Sequence, residues 1–161
     1  MSIPRRRFVA GALGAAAGLR CGSGWAAQAV LAPRTAARGP DLVARDLDGG
    51  TVALARTDLA DLAAGMRGPL LLATDPRYDG ARRIWNGAFD ARPALIARCS
   101  GQADVRRAVG FARTHRLLTA VRGGGHSTSG KSSCEGGLVI DLSPMQGVRV
   151  DPVARRAIVE P

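Results

Sequence analysis

Three short apolar runs predict buried strands: Leu95–Cys99, Leu117–Val121 and Leu138–Leu142. Between the first two, Val105, Ala108, Val109 and Ala112 recur at helical spacing. Ser100 is placed to cap that helix, with Asp104 in its first turn and an end near Arg116. Gly110 inside it costs about 1 kcal/mol relative to Ala, and His115 reads as a solvent-facing residue at its C-terminal end. Upstream, Leu59, Leu62, Ala63 and Met66 share one face of a weak helix over Thr57–Met66. After Asp75-Pro76, the residues Tyr78, Ala81, Ile84, Trp85 and Ala88 share another helical face, which puts Tyr78 and Trp85 in the core. Val148–Asp151 and Ala157–Glu160 predict a hairpin around Pro152–Arg155. The order strand, helix, strand, loop, strand begins a layered sheet, and its first connection is a parallel βαβ unit. The expected class is α+β.

Length and composition narrow the possibilities. A chain of 161 residues fits one domain, or a domain with a tail. With 46% hydrophobic and 22% charged residues it is neither disordered nor collagen-like, and it is long enough to bury a core without disulfides. The formal charge of +10 suggests nucleic acid, but its distribution does not. Lys131 is the one lysine among 23 basic residues, a skew that reads as codon bias. Residues 1–40 hold six Arg and no acid, whereas residues 41–161 hold 17 basic and 13 acidic residues, a net of +4. No basic run is interleaved with aromatics, so nucleic acid is not an expected partner.

The amino-terminal excess has its own pattern. Arg5-Arg6-Arg7-Phe8 precedes a mildly apolar stretch, residues 8–19, that is too short to cross a bilayer of about 30 Å. Residues 1–29 resemble a twin-arginine export signal, although Pro4 stands where a Ser or Thr is usual. Ala27-Gln28-Ala29 offers a cleavage site, after which the chain would start near Val30. The resemblance implies export to the periplasm without a stable membrane anchor; a disordered basic tail on a cytoplasmic protein is the alternative. Export of folded proteins also hints at an inserted cofactor, and would put Cys99 and Cys134 in an oxidising compartment. Two inert thiols are the expectation there, with a disulfide as the alternative. Residues 30–68 read as a linker followed by the weak helix, and the patterned region starts at residue 69.

The chemistry concentrates in Arg122-Gly123-Gly124-Gly125-His126-Ser127, directly after a strand. Glycines tolerate positive φ and let backbone N–H groups approach an anion, so a phosphate-binding loop is the natural inference. One version is a P-loop, because Gly125 to Ser132 matches G-x-x-x-x-G-K-[ST]. That motif must open a helix. Here Ser132–Gly137 is a poor helix former and the next strand starts soon after, so a nucleotide hydrolase is disfavoured.

The other version rests on a longer match. ALIARCSGQADVRRAVGFARTHRL, AVRGGGHSTSG and CEGGLVIDLSPMQGVRVDP follow one another in the order of the PCMH-type FAD-binding fold, also called the vanillyl-alcohol oxidase superfamily. Residues 69–161 resemble in particular the bacterial berberine-bridge-enzyme-like oxidoreductases. The resemblance implies that Gly123, Gly124 and Gly125 hold the FAD pyrophosphate through backbone N–H groups. Arg122 opens the loop and Ser127 adds a hydroxyl. His126 falls where the family attaches the flavin 8α-methyl carbon to a ring nitrogen, and imidazole is a competent nucleophile near neutral pH. Such a bond retains the cofactor and is expected to raise its potential. A loop-bracing role is the plain alternative for His126. Asp141 is expected to fix backbone at a strand end. Cys134 inherits no flavin link, because the family's linking Cys lies further downstream.

The implied reaction is hydride transfer from an alcohol, sugar or similar small molecule to FAD, with O₂ as electron acceptor. No residue is assigned as catalytic base and no metal is expected. The resemblance stops before a second FAD subdomain and a substrate domain, so the chain reads as the N-terminal part of an oxidase, inactive alone. A non-catalytic remnant or nucleotide-binding module is the competing expectation.

Overall fold

The computed structural model describes residues 42–161. The export-signal and cleavage-site expectations for residues 1–29 lie outside the described residues.

The first element is absent from the sequence reading. Leu42–Arg45 (β1) and Thr51–Leu54 (β2) form an antiparallel hairpin where a linker was expected. Its turn is built by Asp46, whose carboxylate accepts the N–H groups of Asp48 and Gly50 at 2.9 and 2.7 Å. Gly49 supplies the positive φ of +87° that the turn requires. Ala44 and Leu54 point inward and are buried. The hairpin also joins the main fold, because the Leu118 N–H donates to Arg45 O and the Arg45 N–H to Gly136 O. The fold therefore begins well before residue 69.

The helix Arg56–Gly65 (α1) follows and buries Leu59 and Leu62, with Met66 buried just beyond its end and Ala63 left exposed. Leu70–Leu72 (β3) and the short helix Tyr78–Arg82 (α2) come next. Leu95–Arg98 (β4), the helix Gln102–Thr114 (α3), Thr119–Arg122 (β5) and Leu138–Asp141 (β6) build the centre. Val148–Asp151 (β7) and Arg156–Val159 (β8) form the predicted hairpin, exposed along its whole length. The class is α+β, as expected.

The four-stranded sheet has the order β3-β4-β6-β5. β4, β6 and β5 run parallel and β3 pairs antiparallel to β4 at the edge. The last strand in sequence thus inserts between the two strands of the βαβ unit. Its central place explains its composition, since all four residues of β6 are buried. Period-two alternation sends Leu138 and Ile140 to one face, where Leu95, Ala97, Ala108 and Ala112 join them in the larger core cluster. Val139 faces the other side, with Ile96, Leu71, Ala120 and Tyr78.

Two helix readings need correction. The helix begun at Tyr78 stops at Arg82, with extended backbone at Arg83. Asn86 forms a local turn by accepting the Ala88 N–H at 3.1 Å, and the Trp85 N–H is taken by Gly125 O at 3.0 Å. Tyr78 is buried as expected, but Trp85 is 72% exposed and Ala88 is also exposed. In α3 the N-cap position is Gly101, and no side chain caps it. The Asp104 carboxylate reaches back instead, accepting the Ser100, Arg67 and Gly68 N–H groups at 2.9, 2.9 and 3.0 Å. The buried stripe runs through Asp104, Ala108 and Ala112, while Val109 is half exposed. His115 occupies the C-cap, but its ring packs on Phe111 with centroids 4.4 Å apart.

Cys99 and Cys134 are free thiols that belong to different core clusters. Burial pushes both up to about 11, far from the range in which a thiolate forms at neutral pH. Among the described residues, no helix is long and apolar enough to cross a membrane.

Candidate functional site

The parallel strands β4, β5 and β6 end side by side. Register pairs Arg98 with Asp141 and Arg122 with Asp141, so the three charged residues form one row across the sheet's carboxyl edge. In open sheets of this kind, ligands are received at the carboxyl ends of the strands. The Gly-rich loop leaves the sheet at this edge, immediately after Arg122.

Asp141 is 1% exposed. One of its oxygens accepts from Arg98 Nε at 3.1 Å; the other accepts the Ser143 N–H at 3.0 Å and lies 4.0 Å from Arg122 Nε. The Ser143 bond fixes backbone at the strand end, as the sequence suggested. The Arg122 contact is too long for a hydrogen bond and acts through charge. Arg122 Nη1 donates to Ala81 O, which ties the loop's first residue to α2.

The loop itself is short of internal partners. Among the described residues, the N–H groups of Gly123, Gly124, Gly125, His126 and Ser127 donate to no protein acceptor. Gly125 has a φ of +74° and is buried, and its carbonyl accepts the Trp85 N–H. A Cβ at Gly123 would meet no protein atom within 4 Å, so packing does not demand glycine there. A cleft of about 400 Å³ opens on Gly123 and Gly124, with Ser143, Gln146 and Glu160 among its walls. The Glu160 carboxylate is engaged by the Gly147 N–H at 2.9 Å.

His126 is exposed, and its ring lies over Gly124: a Cβ there would fall 2.8 Å from His126 Cδ2. The imidazole makes no hydrogen bond to the described residues. Ser127 has an internal task. Its hydroxyl oxygen accepts the Lys131 N–H at 3.1 Å, which closes the turn, and lies 3.5 Å from the Ser129 hydroxyl. The far side of the loop is held by Asn86 Nδ2, which donates to Thr128 O at 2.8 Å.

These features suit an anionic cofactor. Three buried side-chain atoms lack partners among the described residues: Arg122 Nε, Ser132 Oγ and Ser133 Oγ. All belong to the loop or to the turns that close it. Buried polar atoms without partners are uncommon and cluster where something else completes them. A run of free N–H donors at side-chain-free positions suits a pyrophosphate, and the guanidinium beneath the loop adds positive charge.

The P-loop alternative does not survive. Residues 126–137 form turns and bends, and no helix follows Lys131. The helix N-terminus that would hold the phosphates is missing from that motif.

Comparison with known proteins agrees with this geometry. Residues 93–161 match the family model described as FAD binding domain. This match and the relatives that follow are similarities to PCMH-type FAD-linked proteins, and they support FAD as the cofactor of the matched region. The (R)-6-hydroxynicotine oxidase of Paenarthrobacter nicotinovorans is 36% identical over 92 residues, 57% of this chain and 20% of that enzyme. The solved structure of 6-hydroxy-D-nicotine oxidase from Arthrobacter nicotinovorans superposes with a TM-score of 0.55 at 36% identity, over 57% of this chain and 20% of that one. The berberine-bridge-enzyme-like protein 1 of Physcomitrella patens gives 0.57 at 25% identity, over 63% of this chain and 22% of that one. The chain spans about a fifth of the length of the relatives it matches. Other curated relatives that the chain resembles over this part are FAD-linked oxidoreductases.

Sequence reasoning singled out the loop but missed what lies beneath it. The sequence assigns Arg98 no role, Ser132 and Ser133 a place only in the disfavoured P-loop segment, and Asp141 only a place at a strand end. A signal was present: each of the three parallel strands ends its apolar run on a charged residue.

Proposed function

We propose that residues 122–127 hold the pyrophosphate of FAD in a flavoprotein oxidoreductase that oxidises a small organic substrate. The observation that carries this reading is the run of five unpartnered N–H groups in a glycine loop above a half-paired guanidinium. Gly123, Gly124 and Gly125 supply backbone donors and allow close approach. Ser127 adds a hydroxyl at the end of the run. When bound, the flavin supplies a two-electron acceptor for hydride from a substrate carbon. An alcohol, a sugar or a comparable C–H donor is the proposed substrate class, and O₂ the proposed electron acceptor.

His126 is the residue we assign to covalent attachment, a ring nitrogen bonded to the flavin 8α-methyl carbon. The residue is exposed and its ring makes no hydrogen bond to the described residues. The substrate pocket and the general base belong in this proposal to parts of the relatives' length that this chain does not span, so residues 1–161 alone would bind without turnover. Export by the twin-arginine route remains part of the proposal.

Acid precipitation of protein expressed from its complete reading frame tests the assignment. The native protein should leave a yellow pellet, and His126→Ala should lose the acid-stable colour while still binding FAD reversibly. A colourless native protein that takes up no added FAD would favour a non-catalytic remnant.

A further inference from the structure

The Arg122 side chain does not extend toward the cleft. It folds under its own loop, where a Cβ at Gly125 would fall 3.2 Å from Arg122 Nε. Its Nη1 is committed to Ala81 O, and its side chain is only 16% exposed. Asp141, the carboxylate nearest to it, already accepts from Arg98 and from the Ser143 N–H. The row Arg98–Asp141–Arg122 thus carries two cations and one anion, and Arg122 Nε is left without a hydrogen bond. The carboxylates around α2 do not compensate it: Asp79 and Asp90 are both paired to Arg82.

We infer that Arg122 is a positioning residue: its half-paired guanidinium, held by Asp141 and the Ala81 carbonyl, lies beneath Gly125 and biases the loop toward a diphosphate. This rests on the FAD reading above and deepens it by giving Arg122 a role from below rather than as a phosphate ligand. Two effects follow from the geometry. The tether to Ala81 fixes where the loop leaves β5, so its N–H donors are pre-ordered. The partly desolvated charge acts on an anion across the thickness of one backbone, where solvent screens it weakly.

The test uses protein from the complete reading frame in a His126→Ala background, so that flavin exchanges freely. FAD and riboflavin, which lacks both phosphates, are titrated into Arg122→Met and Arg122→Lys. Arg122→Met should weaken FAD about tenfold or more, the loss expected for one charged interaction. Riboflavin affinity should change by less than about twofold, and Arg122→Lys should recover most of the FAD affinity by restoring the charge. Equal losses for FAD and riboflavin without recovery by Lys would mean a structural brace and would overturn the inference. Unchanged FAD affinity in Arg122→Met would overturn it too. Absence of FAD binding in the background protein would overturn the loop assignment itself, and this inference with it.

Discussion

Glycine in this chain does two separable jobs, and single residues tell them apart. Gly137 precedes β6 at a point where an added Cβ would collide with the Leu118 carbonyl and sit 2.8 Å from Cys134 Sγ. Backbone cannot yield as a flexible side chain can, so Gly137→Ala should cost about 2–3 kcal/mol. Thermal or denaturant unfolding would show the loss; an unchanged midpoint would mean the strands are further apart than described. Gly123 is the opposite case, because a Cβ there meets nothing in the protein. Sequence alone gives both the same letter. The triple glycine points to an anion loop, yet nothing in the text shows which glycine serves packing and which serves a ligand. Trp85 taught a similar lesson: its spacing suggested core, but Gly125 O captures its N–H and the indole is exposed.

At the scale of elements, the strands and α3 were legible because burial enforces their periodicity. β6 is covered on both faces, so it reads as an unbroken apolar run. The β1–β2 hairpin was missed although Asp48-Gly49-Gly50 is a turn signal between two short alternating runs. Its strands have four residues each and bury only part of one face, too little to stand out from the Ala- and Arg-rich background. The bond set at Asp104 was illegible for another reason: it joins α3 to the α1–β3 turn, 36 and 37 residues away. Burial alone would raise the Asp104 pKa, but the Arg67, Ser100 and Gly68 N–H groups outweigh it and hold the carboxyl below its ordinary 3.8. A folded pKa below the unfolded value stabilises the fold above about pH 4 and is lost as pH falls through the folded value. Asp104→Ala should therefore cost about 2–4 kcal/mol near neutral pH, by stranding buried donors, and somewhat less as pH falls through the folded value. Denaturant midpoints of both proteins from pH 7 downward would show the gap narrowing in acid; a gap independent of pH would mean the carboxylate's charge is not what holds the turn.

For the molecule as a whole, the sheet's connectivity brings the chemistry together. Inserting β6 between β4 and β5 sets Asp141 between Arg98 and Arg122, and the row supports the loop that leaves β5. The sequence order of these strands does not reveal their spatial order, so the charge row could be read only after folding. The resemblance to FAD-linked oxidoreductases was carried by the loop, α3 and β6 together, and residues 93–161 of the family match span the same elements. The central claim is that the free N–H groups and empty space at this loop belong to FAD. Gly123→Ala tests it most directly, because among the described residues no atom lies within 4 Å of the new methyl group. Flavin content per chain would be measured beside the melting temperature, using protein from the complete reading frame. The account predicts that Gly123→Ala loses most of its FAD, while the flavin-free forms of variant and native protein melt alike. A variant that retains full flavin would contradict it, and the pyrophosphate would then have to be held elsewhere.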